Sequence, residues 1–318
     1  MTNNSLNDIR NALKAAENIA VSAHTSPDGD AVGASCALGF ALKKLGKNVK
    51  VLLERYSDTF NVMPAEKIAD FDIENFVPDL YVSVDCGDIE RLGIFGGLYL
   101  NTKNTINIDH HESNTGFGKL NYVYPKASSA SELVYDIIDG FIPLDENIAA
   151  CLYSGIIFDT GGFRHTSTSP KTLAIASKLV EYNFNFSRIY NTIFNTRKFE
   201  EAKAMGMAIE RMKKEENGKI IYSYMTLDDI KLCGTTSDGL SEIINYIKGI
   251  NGCEVAVFVY EKSEGVFKVS LRSGDEIDVC KVASAFGGGG HIRASGCTIS
   301  GEPIDIIFKV ISEIKKQI

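Results

Sequence analysis

All five histidines of this chain lie in short polar or glycine-rich stretches: AHTSPDGD around His24, IDHHE with His110 and His111, FDTGGFRH with His165, and GGGGHIRASG with His291. Chance would scatter some of them over helix surfaces, so the clustering is the first pointer to chemistry. His24 ends an apolar run, Pro27 stiffens the turn that follows, and Asp28 and Asp30 flank Gly29 just before a helical pattern begins. Asp85 ends LYVSVD, Asp109 ends TINID and leads into His110 and His111, and Asp159 follows YSGIIF and precedes a Thr-Gly-Gly turn. Taken singly, Asp28, Asp30 and Asp159 each read best as helix caps or turn residues. Taken together they do not, because four carboxylates at one place would repel and raise one another's pKa unless cations were bound. Imidazole and carboxylate donors suit Mn²⁺, Mg²⁺ or Zn²⁺. Two such ions about 3.5–4 Å apart can share one carboxylate, activate water and clamp the attacking and leaving oxygens of a phosphate ester. Four carboxylates offset the charge of the pair, so an anionic substrate can approach.

Such a centre requires elements that deliver distant residues to one place. From residue 19 to 125, β-prone runs (19–24, 49–54, 80–85 and 105–109) alternate with amphipathic stretches, and DAVGASCALGFALKKLG at 30–46 reads as a crossover helix closed by Gly46. In open parallel sheets ligands bind at the carboxyl ends of strands, where His24, Asp85 and Asp109 fall. Residues 128–213 read as mainly helical, with Ser128 or Ser129 and Ser169 as N-caps. Strand patterns return at KIIYSYMTL, CEVAVFVYE and VFKVSLRS. The expected architecture is α/β, a mostly parallel sheet flanked by helices over 1–190, then a helical linker at 191–216 and a smaller α+β domain over 217–318.

Composition narrows the partners. Thirty-three basic against forty-one acidic side chains give a formal charge of −8, which disfavours a long polyanion. No apolar run is long enough to span a bilayer and the start carries no signal-peptide pattern, so the expectation is a cytoplasmic protein without a membrane partner. Seven cysteines without a Cys-x-x-Cys read as reduced packing residues rather than a thiolate metal site. The glycine run 287–290 alone would be a flexible loop, but His291 and Arg293 follow it, and backbone free of side chains can present N–H groups to a phosphate.

HTSPDGDAVG at 24–33, VDCGD at 84–88, DHH at 109–111, GIIFDTGGF at 155–163 and FGGGGHIRASG at 286–296 stand in an order that resembles the signature motifs of the DHH phosphoesterases and their DHH-associated substrate-binding domain. The resemblance implies that His24 and Asp28 bind one metal, that Asp30, His110 and Asp159 bind the other, and that Asp85 bridges them. It implies further that Asp109 orients the histidine pair and that His111 faces the substrate phosphate or the attacking water. Gly288, Gly289, Gly290, His291 and Arg272 would grip the substrate. Arg164 and His165 read equally as cleft residues or solvent-facing turn residues, and Ser129 and Ser131 as caps.

Within that family the motif set is similar to the nanoRNase and pAp-phosphatase branch. The expected activity is hydrolysis of very short oligoribonucleotides to mononucleotides, with dephosphorylation of 3′-phosphoadenosine 5′-phosphate (pAp). The cofactors would be two divalent cations, Mn²⁺ first and Mg²⁺ second. A soluble phosphodiesterase for linear or cyclic dinucleotides (pApA, c-di-AMP) is the enzymatic alternative, and a nucleotide-binding regulator without catalysis the alternative of another class. Short RNA and small nucleotide phosphates are the expected partners, with a homodimer left open.

Overall fold

β-Branched and apolar runs separated by amphipathic stretches build a parallel sheet when helices cover both faces. The computed structural model describes residues 3–73 and 76–317, and the chain divides into two units, Met1–Thr196 and Arg197–Ile318. In the first unit β1 (Asn18–Ser22), β2 (Asn48–Leu52), β3 (Ala69–Asp70), β4 (Leu80–Val84), β5 (Asn104–Asp109) and β6 (Leu120–Val123) lie in the order β3-β2-β1-β4-β5-β6, every neighbouring pair parallel. The chain winds outward from β1 to β3, returns to β4 beside β1, and then winds the other way. β1 and β4 pair from Ile19↔Leu80 to Ser22↔Ser83, so the residues just beyond them emerge side by side at the point of reversal. All five β4 residues are buried, as a central strand requires.

The helices of this unit are α1 (Leu6–Ala15), α2 (Gly29–Lys44), α3 (Gly96–Asn101), α4 (Ala130–Ile138), α5 (Glu146–Asp159), α6 (Pro170–Leu179) and α7 (Phe186–Tyr190). Asp28 caps α2 at its start, and Gly46 at φ +77 follows its C-cap, Leu45. α2 and α5 are buried around most of their girth because they pack on one another as well as in the core. Gly155 permits that approach: a Cβ there would lie 2.0 Å from Ser131 Oγ and 2.6 Å from Asp30 Oδ1. Ser129 and Ser169 cap α4 and α6.

The second unit comprises α8 (Phe199–Glu210), β7 (Lys213–Glu215), β8 (Ile220–Met225), α9 (Leu227–Cys233), α10 (Ile243–Lys248), β9 (Val255–Ser263), β10 (Val266–Ser273), α11 (Val279–Ser284), β11 (Gly289–His291), β12 (Ala294–Ser300) and α12 (Pro303–Lys315). Its sheet runs β11-β12-β10-β9-β8-β7, parallel only between β8 and β9. Alternation along β9 feeds two cores: Val255, Val257 and Val259 join Ile306, Ile307 and Val310 of α12, while Ala256 and Phe258 join Ala204 and Ala208 of α8.

That packing revises the expected linker at 191–216. Residues 199–210 form α8, anchored by its buried alanines and by Ser223 Oγ donating to Ala208 O at 2.7 Å, and 213–215 form the edge strand β7. An edge strand open to water needs no apolar alternation, so its polar composition read as a linker. The unit boundary falls between Thr196 and Arg197 instead. Among the described residues no helix is long and apolar enough to cross a membrane.

Candidate metal centre

Beyond β1 the chain places His24 at 6% exposure, its Nδ1 donating to Thr25 O at 2.7 Å. That bond leaves the lone pair on Nε2, the atom that faces Asp28 Oδ2 at 3.8 Å and Asp85 Oδ2 at 3.6 Å. Asp28 divides its oxygens: Oδ1 accepts from Asp30 N and Ala31 N at the start of α2, and Oδ2 is turned to His24. One oxygen caps the helix and the other is left to the cluster of potential ligands. Asp30 is fully buried, with Oδ2 accepting from Ala130 N at 2.6 Å and Oδ1 from Ser131 N at 3.0 Å, so the α4 N-terminus holds both of its oxygens in place.

His110 Nε2 lies 3.0 Å from Asp159 Oδ2, 3.4 Å from Asp85 Oδ1 and 4.0 Å from Asp30 Oδ2. Asp85 thus stands between two groups of potential ligands, His24–Asp28–Asp85 and Asp30–His110–Asp159, each with its donor atoms within 4.8 Å of one another. A third grouping joins Asp85 to His110 and His111. Asp109, fully buried, holds His111 through Oδ1 and Nδ1 at 2.7 Å, and the His111 side chain is about one-third exposed (36%).

Two observations on Asp85 fit a bound cation. Its Oδ1 is buried and accepts no hydrogen bond, and its backbone sits at φ +54. A buried acceptor without a partner costs about 1–3 kcal/mol, more if charged, and a left-handed non-glycine residue costs a similar amount, so a purely structural aspartate gains nothing here.

The electrostatics agree. Burial, reinforced by Asp159 and Asp85, pushes the Asp30 carboxyl well above the usual range, and burial together with Asp85 raises Asp28. Burial raises Asp159 as well. Burial opposes charge on His110, yet Asp159 and Asp85 lift its pKa to about 12. Asp85 is held low despite its burial, by the His110 and His24 imidazoles that face it. His24 is raised in spite of burial by Asp85, and His111 is raised first by its bond to Asp109. The carboxylate cluster thus favours positive charge beside it, which divalent cations could supply.

The remaining candidates fall elsewhere. His165 Nδ1 lies 3.0 Å from Asp159 O, and Arg164 Nε donates to Gly161 O at 2.8 Å, so both brace the turn after α5. The sequence reading overlooked Asn107 and Asn114, which stand behind the centre; an asparagine between two isoleucines in the strand TINID was the available signal. In the second unit the glycine-rich motif is no floppy loop but runs into the β11–β12 hairpin. A Cβ on Gly288 would lie 2.3 Å from Gly296 O, and one on Gly290 2.6 Å from Ala294 O, so those two glycines serve the hairpin. Gly289 faces open space. Among the described residues Arg272 and His291 have no acidic partner, whereas Arg293 is engaged by Asp275 and Gly274 O.

Residues 18–156 match the DHH family N-terminal domain and residues 217–317 the DHHA1 domain. A Streptococcus mutans protein named probable bifunctional oligoribonuclease and PAP phosphatase NrnA is 32% identical over 289 residues, 89% of this chain and 90% of its own length. The chain belongs to the DHH family of phosphoesterases. The bifunctional oligoribonuclease and PAP phosphatase NrnA of Thermus thermophilus is 29% identical over 315 residues, 97% of this chain and 93% of that one. Among solved structures, an exopolyphosphatase-related protein from Bacteroides fragilis superposes on this DHH protein with a TM-score of 0.84 at 25% identity, covering 98% of this chain and 95% of the other.

Proposed function

We propose that this DHH phosphoesterase hydrolyses very short oligoribonucleotides to mononucleotides and removes a phosphate from pAp, using two divalent cations. The observation that carries the reading is the position of Asp85 between the two ligand groups, with a buried oxygen that accepts no hydrogen bond. His24 and Asp28 would hold one cation, Asp30, His110 and Asp159 the other, and Asp85 both. Bound there, the cations would lower the pKa of water and neutralise charge developing on phosphoryl oxygens. Imidazole on each side favours Mn²⁺ over the harder Mg²⁺, which prefers oxygen and water.

The chain's own residues account for the rest. Asp109 fixes the His111 ring through Nδ1 and raises its pKa, so Nε2 can hold a proton toward a phosphate oxygen. Arg272 and His291, without an acidic partner among the described residues, can serve a terminal phosphate, and Gly289 leaves backbone open to close approach. The acidic chain disfavours long strands. The relatives named as oligoribonucleases and PAP phosphatases support the same substrate class.

The test is an assay of purified protein with Mn²⁺ on a dinucleotide, pAp and a long single strand. Rapid turnover of the small substrates and little of the long one is expected. Equal rates on the long strand, or no hydrolysis of either small substrate, would overturn the proposal.

A further inference from the structure

Asn107 and Asn114 are buried amides to which the two-cation centre gives no task. Asn107 is fully buried in β5 between Ile106 and Ile108, a place where an amide is costly unless it is fully bonded. It is bonded: Nδ2 donates to Ser83 Oγ and to Cys86 O, both at 3.0 Å. Asn114 follows the DHH run. Its Oδ1 accepts from Gly116 N at 2.7 Å, which settles the direction of the amide. Nδ2 therefore faces Asp109 Oδ2 at 2.5 Å, Asn107 Oδ1 at 2.8 Å and Cys86 O at 3.2 Å. Two hydrogens serve three acceptors, and the Cys86 carbonyl is shared with Asn107.

The ends of this network are the informative part. Cys86 follows Asp85, whose backbone is left-handed. Two amides hold the Cys86 carbonyl, in the peptide one residue beyond, and so fix the path of the chain as it leaves Asp85. At the other end Asp109 passes the network to His111 Nδ1 at 2.7 Å. One pair of side chains thus reaches the residue next to the shared carboxylate on one side and, through Asp109, His111 on the other.

We propose that Asn107 and Asn114 are positioning residues that hold Asp85 in the arrangement able to receive a pair of divalent cations, and His111 beside it toward the phosphate. They act on the cations only through Asp85, and the inference rests on the ligand assignment under the proposed function. Partners that orient metal ligands in this way change metal affinity about 10–100-fold when removed.

The experiment is Mn²⁺ titration of the full chain by calorimetry, with electron paramagnetic resonance to detect a spin-coupled Mn²⁺ pair. Asn114→Ala and Asn107→Ala should each weaken binding about 10–100-fold and abolish the pair signal while circular dichroism shows a folded chain. Tyr99→Phe, which removes a half-buried bond to Phe117 O at 2.8 Å further along the same loop, should lower stability and leave both readouts unchanged. If one asparagine variant fails to fold, the other decides. Parental affinity and an intact pair signal in a folded asparagine variant would overturn the positioning role and leave the ligand assignment standing. A parent chain that takes up no Mn²⁺ pair would overturn both.

Discussion

Replacing Asp30 by asparagine separates the structural work of this carboxylate from its proposed role as a cation ligand. Asp30 has no exposed surface and accepts two backbone N–H groups from the start of α4, one on each oxygen. Asparagine keeps one acceptor and turns its own N–H₂ toward the other donor, leaving a buried group unsatisfied at about 1–3 kcal/mol. Relief of the repulsion from Asp159 and Asp85, which helps to raise the Asp30 pKa, works in the opposite direction. In EDTA the variant should therefore unfold in urea only about 1–3 kcal/mol more easily than the parent. With Mn²⁺ a hundredfold above its dissociation constant the parent gains about 2.7 kcal/mol per site, and each tenfold loss of affinity removes about 1.4 kcal/mol. Asp30→Asn should forfeit most of the gain from the group containing His110 and Asp159 and keep that from the group containing His24 and Asp28. The assay is a pair of urea titrations per protein, with EDTA and with Mn²⁺. A variant whose Mn²⁺-dependent gain equals the parent's would refute the assignment of Asp30 as a ligand.

Gly155→Ala should drive a methyl group into Ser131 and the Asp30 carboxylate, lowering stability by about 1–3 kcal/mol and weakening Mn²⁺ binding, as read by urea melts and calorimetry. Arg272→Ala and His291→Ala should each reduce kcat/KM on pAp about 10–100-fold while Mn²⁺ affinity stays at the parental value, since a charge-assisted bond is lost away from the ligand set. Asp229→Ala should cost about 1–3 kcal/mol at neutral pH, because it removes the carboxylate that caps α9 with Thr226 and receives the Arg211 guanidinium. Burial opposes ionisation of Asp229, but Arg211 and Thr226 hold its pKa below the unfolded value. Its contribution is thus present above about pH 4 and lost as pH falls through the folded pKa. A difference between parent and variant that stays constant between neutral and strongly acid pH would contradict this.

The site's raw material was legible because strand-terminal side chains in a parallel sheet share one edge, and β1 and β4 carry His24 and Asp85 to the reversal of strand order. Cap and proposed ligand do not compete at Asp28, since one carboxylate oxygen caps α2 and the other is turned to His24. Asn107 left only the faint signal of an amide between two isoleucines, and Asn114 left none, because the Cys86 carbonyl they bond lies 21 and 28 residues away and meets them only on folding. The polar stretch taken as a linker belongs to the second unit because α8 needs only two buried alanines to dock. In the glycine-rich motif, composition could not tell hairpin packing at Gly288 and Gly290 from open backbone at Gly289.

The most direct measurement is anomalous diffraction at the manganese edge from crystals grown with Mn²⁺. Two peaks should appear, both touching Asp85, one of them also ligated by His24 and Asp28 and the other by Asp30, His110 and Asp159. A single peak, or peaks that leave Asp85 without a cation, would contradict the account.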